Sequence, residues 1–127
     1  MGQEADGCKI LIVEDNDGDL FLLRQRLDQI LPHCRTLCVK TVGDAYTAYK
    51  SCAIDLILLD LNLPDGYGPG TVSQVRQFFK STPIIVVTGY GTDMSVCECL
   101  KLGANNVISK SQISDHDFVN IIEQNVT

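Results

Sequence analysis

Three apolar runs in this chain do not alternate with polar residues: Cys8-Lys9-Ile10-Leu11-Ile12-Val13, Leu56-Ile57-Leu58-Leu59 and Ile84-Ile85-Val86-Val87. A strand with one solvated face reads apolar-polar-apolar. A continuous run is what a strand needs when both of its faces are covered. Two further runs complete the set. Leu37-Cys38-Val39-Lys40-Thr41-Val42 is more mixed, as an edge strand would be, and Val107-Ile108 is the short core of a last strand. Between them lie segments with apolar residues at steps of three and four. The first stripe is Leu20, Leu23, Leu27, Ile30 and Leu31, and the second is Ala45, Ala48, Tyr49 and Cys52. Val72, Val75 and Phe79 make a third, Met94, Cys97 and Leu100 a fourth, and Phe118, Ile121 and Ile122 a fifth. Gly103 is placed to end the fourth helix, and Ser114 with Asp117 to cap the fifth. Five strands alternating with five helices predict an α/β fold, a doubly wound parallel sheet covered on both faces.

The length of 127 residues fits a single domain, and 45% hydrophobic residues suffice for a core. Residues 1–7 are polar and acidic and are expected to be a flexible segment ahead of a domain spanning 8–127. They lack the basic start and apolar stretch of a secretory signal. Nothing approaches the roughly 20 apolar residues that cross a bilayer. The net charge of -6 disfavours direct binding to nucleic acid and to anionic membranes. The reading is a cytoplasmic protein. Its six cysteines (Cys8, Cys34, Cys38, Cys52, Cys97 and Cys99) lack paired zinc-site spacing and are expected to be reduced, small buried hydrophobes.

In a sheet of this type, sites form outside the carboxyl ends of the strands. The residues there are Glu14 and Asp15 after the first run, Asp60 after the third, Thr88 at the end of the fourth and Lys110 after the fifth. Each alone has a bland reading as a cap, a turn or a solvated charge. Together they form a set that phosphoryl transfer uses in full. Crowded carboxylates need a cation, and all-oxygen ligands favour Mg²⁺. A carboxylate can act as nucleophile and form an acyl phosphate, with an ammonium and a hydroxyl binding the phosphate oxygens. The segment Gly66-Tyr67-Gly68-Pro69-Gly70 lacks the Gly-Lys-Ser/Thr ending of a P-loop and reads as a flexible lead-in to the third helix.

Four segments, Ile10-Leu-Ile-Val-Glu-Asp-Asn16, Leu56-Ile-Leu-Leu-Asp-Leu-Asn-Leu-Pro-Asp-Gly66, Pro83-Ile-Ile-Val-Val-Thr-Gly89 and Gly103-Ala-Asn-Asn-Val-Ile-Ser-Lys110, resemble the signature blocks of response-regulator receiver domains. The resemblance covers nearly the whole chain, in order. It implies the flavodoxin-like strand order 2-1-3-4-5. It also implies that Asp60 is the phosphoacceptor and that Asp15 and Asp60 bind Mg²⁺ directly. Glu14 then acts mainly through water, and the backbone carbonyl of Asn62 completes the protein ligands. Lys110 contacts the phosphoryl group, and the Thr88 hydroxyl moves onto it. The implied partners are a histidine kinase or phosphotransfer protein and an unknown output partner. By the same analogy the output face includes Tyr90, Met94, Lys101 and Val107.

Two positions depart from the family pattern. An aromatic residue usually stands where this chain has Val107, which has no ring to swing. The family lysine is commonly followed by a cis proline, and here Ser111 follows. A cis bond before a non-proline costs about 2.5–4 kcal/mol. These departures favour an alternative, a receiver-fold interaction module independent of phosphorylation. A third reading, an aspartyl-phosphate hydrolase, is disfavoured because such enzymes place Asp-x-Asp after the first strand. The leading expectation is a phosphoacceptor switch, with no turnover chemistry beyond its own phosphorylation and dephosphorylation.

Overall fold

Each continuous apolar run forms a central strand. In the computed structural model, which describes residues 8–89 and 93–126, β1 (Lys9–Val13) leads into α1 (Asp17–Ile30), β2 (Arg35–Val39), α2 (Val42–Ser51) and β3 (Leu56–Leu59). A small hairpin follows, β4 (Asn62–Leu63) with β5 (Gly66–Tyr67), and then α3 (Gly70–Arg76). The chain finishes with β6 (Ile84–Thr88), α4 (Asp93–Lys101), β7 (Asn106–Ser109), a 3-10 turn at Lys110–Gln112 and α5 (His116–Val126). The main sheet has the order β2-β1-β3-β6-β7, and every pairing is parallel. This is the expected 2-1-3-4-5 order, with the last two sheet strands renumbered by the intervening hairpin.

The pleat explains why the runs are apolar throughout. Leu11, Val13, Ile57, Leu59 and Val86 face one core, with Ala45 and Ala48 of α2, Val72 and Val75 of α3, and Cys99 of α4. Ile10, Ile12, Leu56, Leu58, Ile85 and Val87 face the other, with Leu23 and Leu27 of α1 and Phe118 and Ile122 of α5. Successive side chains therefore enter different cores.

Several expectations need correction. The second strand ends at Val39 because Thr41 caps α2, its side chain accepting from Asp44 N at 2.9 Å. A side-chain acceptor for the first turn wins over continuing the strand. The fourth stripe is misplaced. Cys99 is buried, whereas Cys97 and Leu100 are exposed. Helix α5 begins at His116, so Ser114 does not immediately precede it, and the Ser114 carbonyl instead accepts from Arg26 Nη2 at 3.2 Å. Gly66-Tyr67 is paired as β5, and Gly68 takes φ 76°, a left-handed conformation suited to glycine. The cysteines are not all thiols. Cys8 and Cys34 form a disulfide with Cα atoms 4.8 Å apart, because Lys9 pairs with Arg35 and brings the preceding residues together. Segment 1–7, Tyr90 and the side chain of Met94 lie outside the described residues.

Candidate functional site

The strand register gathers the site. Val13, the last residue of β1, lies between Val39 of β2 and Leu59 of β3. The next residues along, Glu14 and Asp60, therefore leave the sheet side by side. Their backbone N–H groups extend the ladder, Glu14 N donating to Val39 O at 2.9 Å and Asp60 N to Val13 O at 3.0 Å. Leu59 pairs with Val86, so β6 runs two residues further and ends on Thr88. Thr88 pairs with Ser109, the residue before Lys110. Glu14, Asp15, Asp60, Thr88 and Lys110 thus share the carboxyl edge, as the sequence predicts. Asn62 follows two residues after Asp60 and opens the hairpin, paired with Tyr67.

Glu14 and Asp60 are buried, at 1% and 5% exposure, and Asp15 faces solvent. One carboxylate oxygen from each of the three lies within 4.8 Å of the others, a group that could hold a metal ion. The donor chemistry fits a hard cation, since every side-chain ligand offered is a carboxylate oxygen. Glu14 Oε2 accepts from Asn16 N at 3.1 Å, while the buried Oε1 accepts no aligned hydrogen bond. Oε1 does lie 2.8 Å from the Lys110 ammonium, an ion contact without hydrogen-bond alignment. Lys110 Nζ is also 2.6 Å from Asp19 Oδ2 and 3.5 Å from Asp60 Oδ1.

The electrostatics follow from this crowding. Burial pushes the Asp60 carboxyl above its ordinary value, and the Lys110 charge offsets part of that rise. Burial also raises Glu14, against the pull of Lys110 and with added repulsion from Asp60. Burial lowers Lys110, yet Asp19, Glu14 and Asp60 outweigh it and hold the ammonium above its usual range. The lysine stays charged and the acids resist carrying full charge together.

Two acids contribute in ways the sequence reading missed. Asp19 stands in the first turn of α1, where acids are favoured by the helix dipole, yet it makes the shortest contact to Lys110. The Asp65 carboxylate accepts from Val42 N at 2.9 Å and from Gly43 N at 3.0 Å, pinning the loop after Asp60 to α2. Of the departures, Val107 is partly buried against the core on the α2–α4 side; Lys101, of the expected output face, is exposed. The Lys110–Ser111 bond is trans, as no cis peptide occurs among the described residues. In place of proline, Ser109 and Gln112 form a capping box around the 3-10 turn.

A doubly wound sheet carrying acids, a hydroxyl and an ammonium on its carboxyl edge defines a class that comparison with known proteins makes specific. The chain belongs to the response regulator receiver domain family, whose model matches residues 10–123. It is 31% identical to the response regulator protein PilR of Pseudomonas aeruginosa over 80% of its own length and 22% of that protein. It is 31% identical to the transcriptional regulatory protein CpxR of Klebsiella pneumoniae over 87% of its length and 46% of that protein. The chain thus spans less than half of either relative. Among solved structures, the non-phosphorylated HemR receiver domain of Leptospira biflexa superposes with a TM-score of 0.76 at 30% identity, covering 94% of each chain. Among the described residues, no helix is long and apolar enough to cross a membrane.

Proposed function

We propose that this domain accepts a phosphoryl group on Asp60 from a histidine kinase or phosphotransfer protein, in a Mg²⁺-dependent reaction, and thereby switches a protein-binding surface. The observation that carries this reading is the setting of Asp60: a buried carboxylate 3.5 Å from an ammonium, within a three-carboxylate group fit for a cation. An Asp60 oxygen attacks phosphorus and forms an O–P bond. The N–P bond to the donor imidazole breaks, and its electron pair stays on the ring nitrogen. Lys110 binds a phosphoryl oxygen, and the Thr88 hydroxyl closes onto another. Asp15 and Asp60 would hold the Mg²⁺ directly, with Glu14 acting mainly through water and the carbonyl of Asn62 as a further ligand. When bound, the ion neutralises charge on the transferring group. Such a domain is a switch without turnover of a separate substrate, and it works in the cytoplasm, where reducing conditions keep the Cys8–Cys34 pair largely as thiols.

A second reading, an interaction module independent of phosphorylation, is favoured by Val107 in place of an aromatic ring. Intact mass after incubation with acetyl phosphate and Mg²⁺, beside Asp60→Asn, separates the two. One phosphoryl adduct that requires Mg²⁺ and is missing from the variant supports the switch. No adduct, with a cognate phosphodonor protein also failing, supports the module.

A further inference from the structure

The Lys110 ammonium is held closer to α1 than to the proposed acceptor. It lies 2.6 Å from Asp19 Oδ2, in a hydrogen bond, against 3.5 Å from Asp60 Oδ1. We propose that Asp19 is a positioning residue that restrains Lys110 on the α1 side of the site and so slows the capture of a phosphoryl group by Asp60. The inference rests on the phosphoacceptor reading.

Both partners of the pair are anchored. Asp19 belongs to the first turn of α1, where its own N–H donates to Asn16 Oδ1 at 2.9 Å and fixes the turn. Lys110 opens the 3-10 turn, in which Ser109 N donates to Gln112 Oε1 at 3.2 Å and Ser111 N to Ser109 Oγ at 3.2 Å. A third tie joins the two segments. Arg26 of α1 donates through Nε to Ile113 O at 2.8 Å and through Nη2 to Ser114 O at 3.2 Å. The helix therefore grips the loop just after Lys110, and the two backbone segments that carry the ion pair are tied to each other. Leu22, Leu23, Val87 and Ile113 line the crevice shared by Asp19 and Lys110. Apolar walls strengthen an ion pair relative to water.

Asp19 opposes the reaction in two ways that act in the same direction. With acetyl phosphate as donor, an Asp60 oxygen gains the O–P bond. The O–P bond to acetate breaks, and acetate leaves with the electron pair. Lys110 must follow the incoming phosphoryl oxygens, so its bond to Asp19 has to loosen. The Asp19 carboxylate also places a further negative charge beside an anionic donor. Asparagine at this position keeps the shape and removes the charge, and glutamate keeps the charge.

The test is an intact-mass time course with acetyl phosphate and Mg²⁺ on the wild type, Asp19→Asn, Asp19→Glu and Asp60→Asn. It is run with ¹⁵N NMR of the Lys110 side-chain ammonium, a readout that a merely structural role for Asp19 would not move. The expected result is an adduct forming about three- to tenfold faster in Asp19→Asn, a barrier change of about one hydrogen bond. Asp19→Glu stays near wild type, and Asp60→Asn gives no adduct. The ammonium resonance, held also by Glu14 Oε1 at 2.8 Å, shifts in Asp19→Asn and keeps the wild-type position in Asp19→Glu. An Asp19→Asn rate equal to or below wild type overturns the proposal. So does an ammonium resonance unchanged by Asp19→Asn, whatever the rates. A wild type that takes up no phosphoryl group removes the phosphoacceptor reading itself, and the proposal with it.

Discussion

Arg76 and Gly103 are joined twice over: the guanidinium donates to the Gly103 carbonyl through both Nε, at 3.0 Å, and Nη2, at 2.8 Å. Gly103 has φ 117°, and a Cβ there would meet Arg76 Cγ at 3.0 Å, so the approach requires glycine. The same guanidinium reaches Asn105 Oδ1 and the carbonyls of Phe79 and Thr82. One side chain thus ties the end of α3 to the start of β6 and to the loop between α4 and β7. Arg76→Met keeps the stem and strands these acceptors. The expected loss is about 2–3 kcal/mol of stability. Denaturant unfolding checks it, through a lower midpoint at unchanged slope; an unchanged midpoint means the clip adds nothing.

The acidic site predicts a pH dependence with a definite sign. Burial raises both the Asp60 and the Glu14 carboxyls above their ordinary values of 3.8 and 4.5. A folded-state value above the unfolded one gives stability that is present below the ordinary carboxylate range and lost as pH rises through the folded value. Metal-free protein should therefore melt at lower temperature as pH is taken up from about 4 toward neutrality. Mg²⁺ should restore much of the loss. Asp60→Asn should melt higher than wild type at neutral pH without Mg²⁺ and respond less to the ion. Melting curves across pH, with and without Mg²⁺, decide it, and a variant no more stable than wild type contradicts the argument.

Asp65 should matter more for folding than for cation binding. Asp65→Ala removes the acceptor for Val42 N and Gly43 N at the start of α2, and helix caps are worth about 1 kcal/mol. The melting temperature should fall while the Mg²⁺ titration midpoint stays in place. A shifted midpoint would mean that the loop after Asp60 depends on this cap for its shape.

The disulfide gives a redox-dependent stability. Cys8 and Cys34 are 26 residues apart, and closing a loop of that size contributes about 2–4 kcal/mol. Thiol titration of the unfolded oxidised chain should find the free cysteines Cys38, Cys52, Cys97 and Cys99. All six should react after reduction, with a fall in melting temperature. Cys34→Ser should match the reduced wild type and show no further response to reductant.

The parts legible in the sequence are those where one physical demand dominates. Ile10–Val13, Leu56–Leu59 and Ile84–Val87 had to be central strands, because only burial on both faces tolerates such runs. Glu14, Asp60 and Lys110 could be placed together because strand ends fix position without knowledge of side-chain packing. Helix α4 was ambiguous by nature. Val96, Cys97, Cys99 and Leu100 offer more than one apolar stripe, and only the packing of Cys99 against the sheet selects among them. The disulfide depends on the β1–β2 register, which sequence separation does not encode. Asp19 escaped for a similar reason: its role lies in a contact with a residue 91 positions away.

The Cys8–Cys34 bond also has a mechanical consequence. Everything from Lys9 to His33 lies inside the loop it closes, including β1, α1 and the site acids Glu14, Asp15 and Asp19. A force applied along the oxidised chain passes through the sulfur bridge and cannot extend that loop. Stretched to full contour, the oxidised chain should be shorter than the reduced one by about 90 Å, at roughly 3.3–3.6 Å per residue. One covalent bond at the amino end of the sheet thereby keeps two of the three clustered carboxylates, Glu14 and Asp15, out of reach of any pull that unravels the rest.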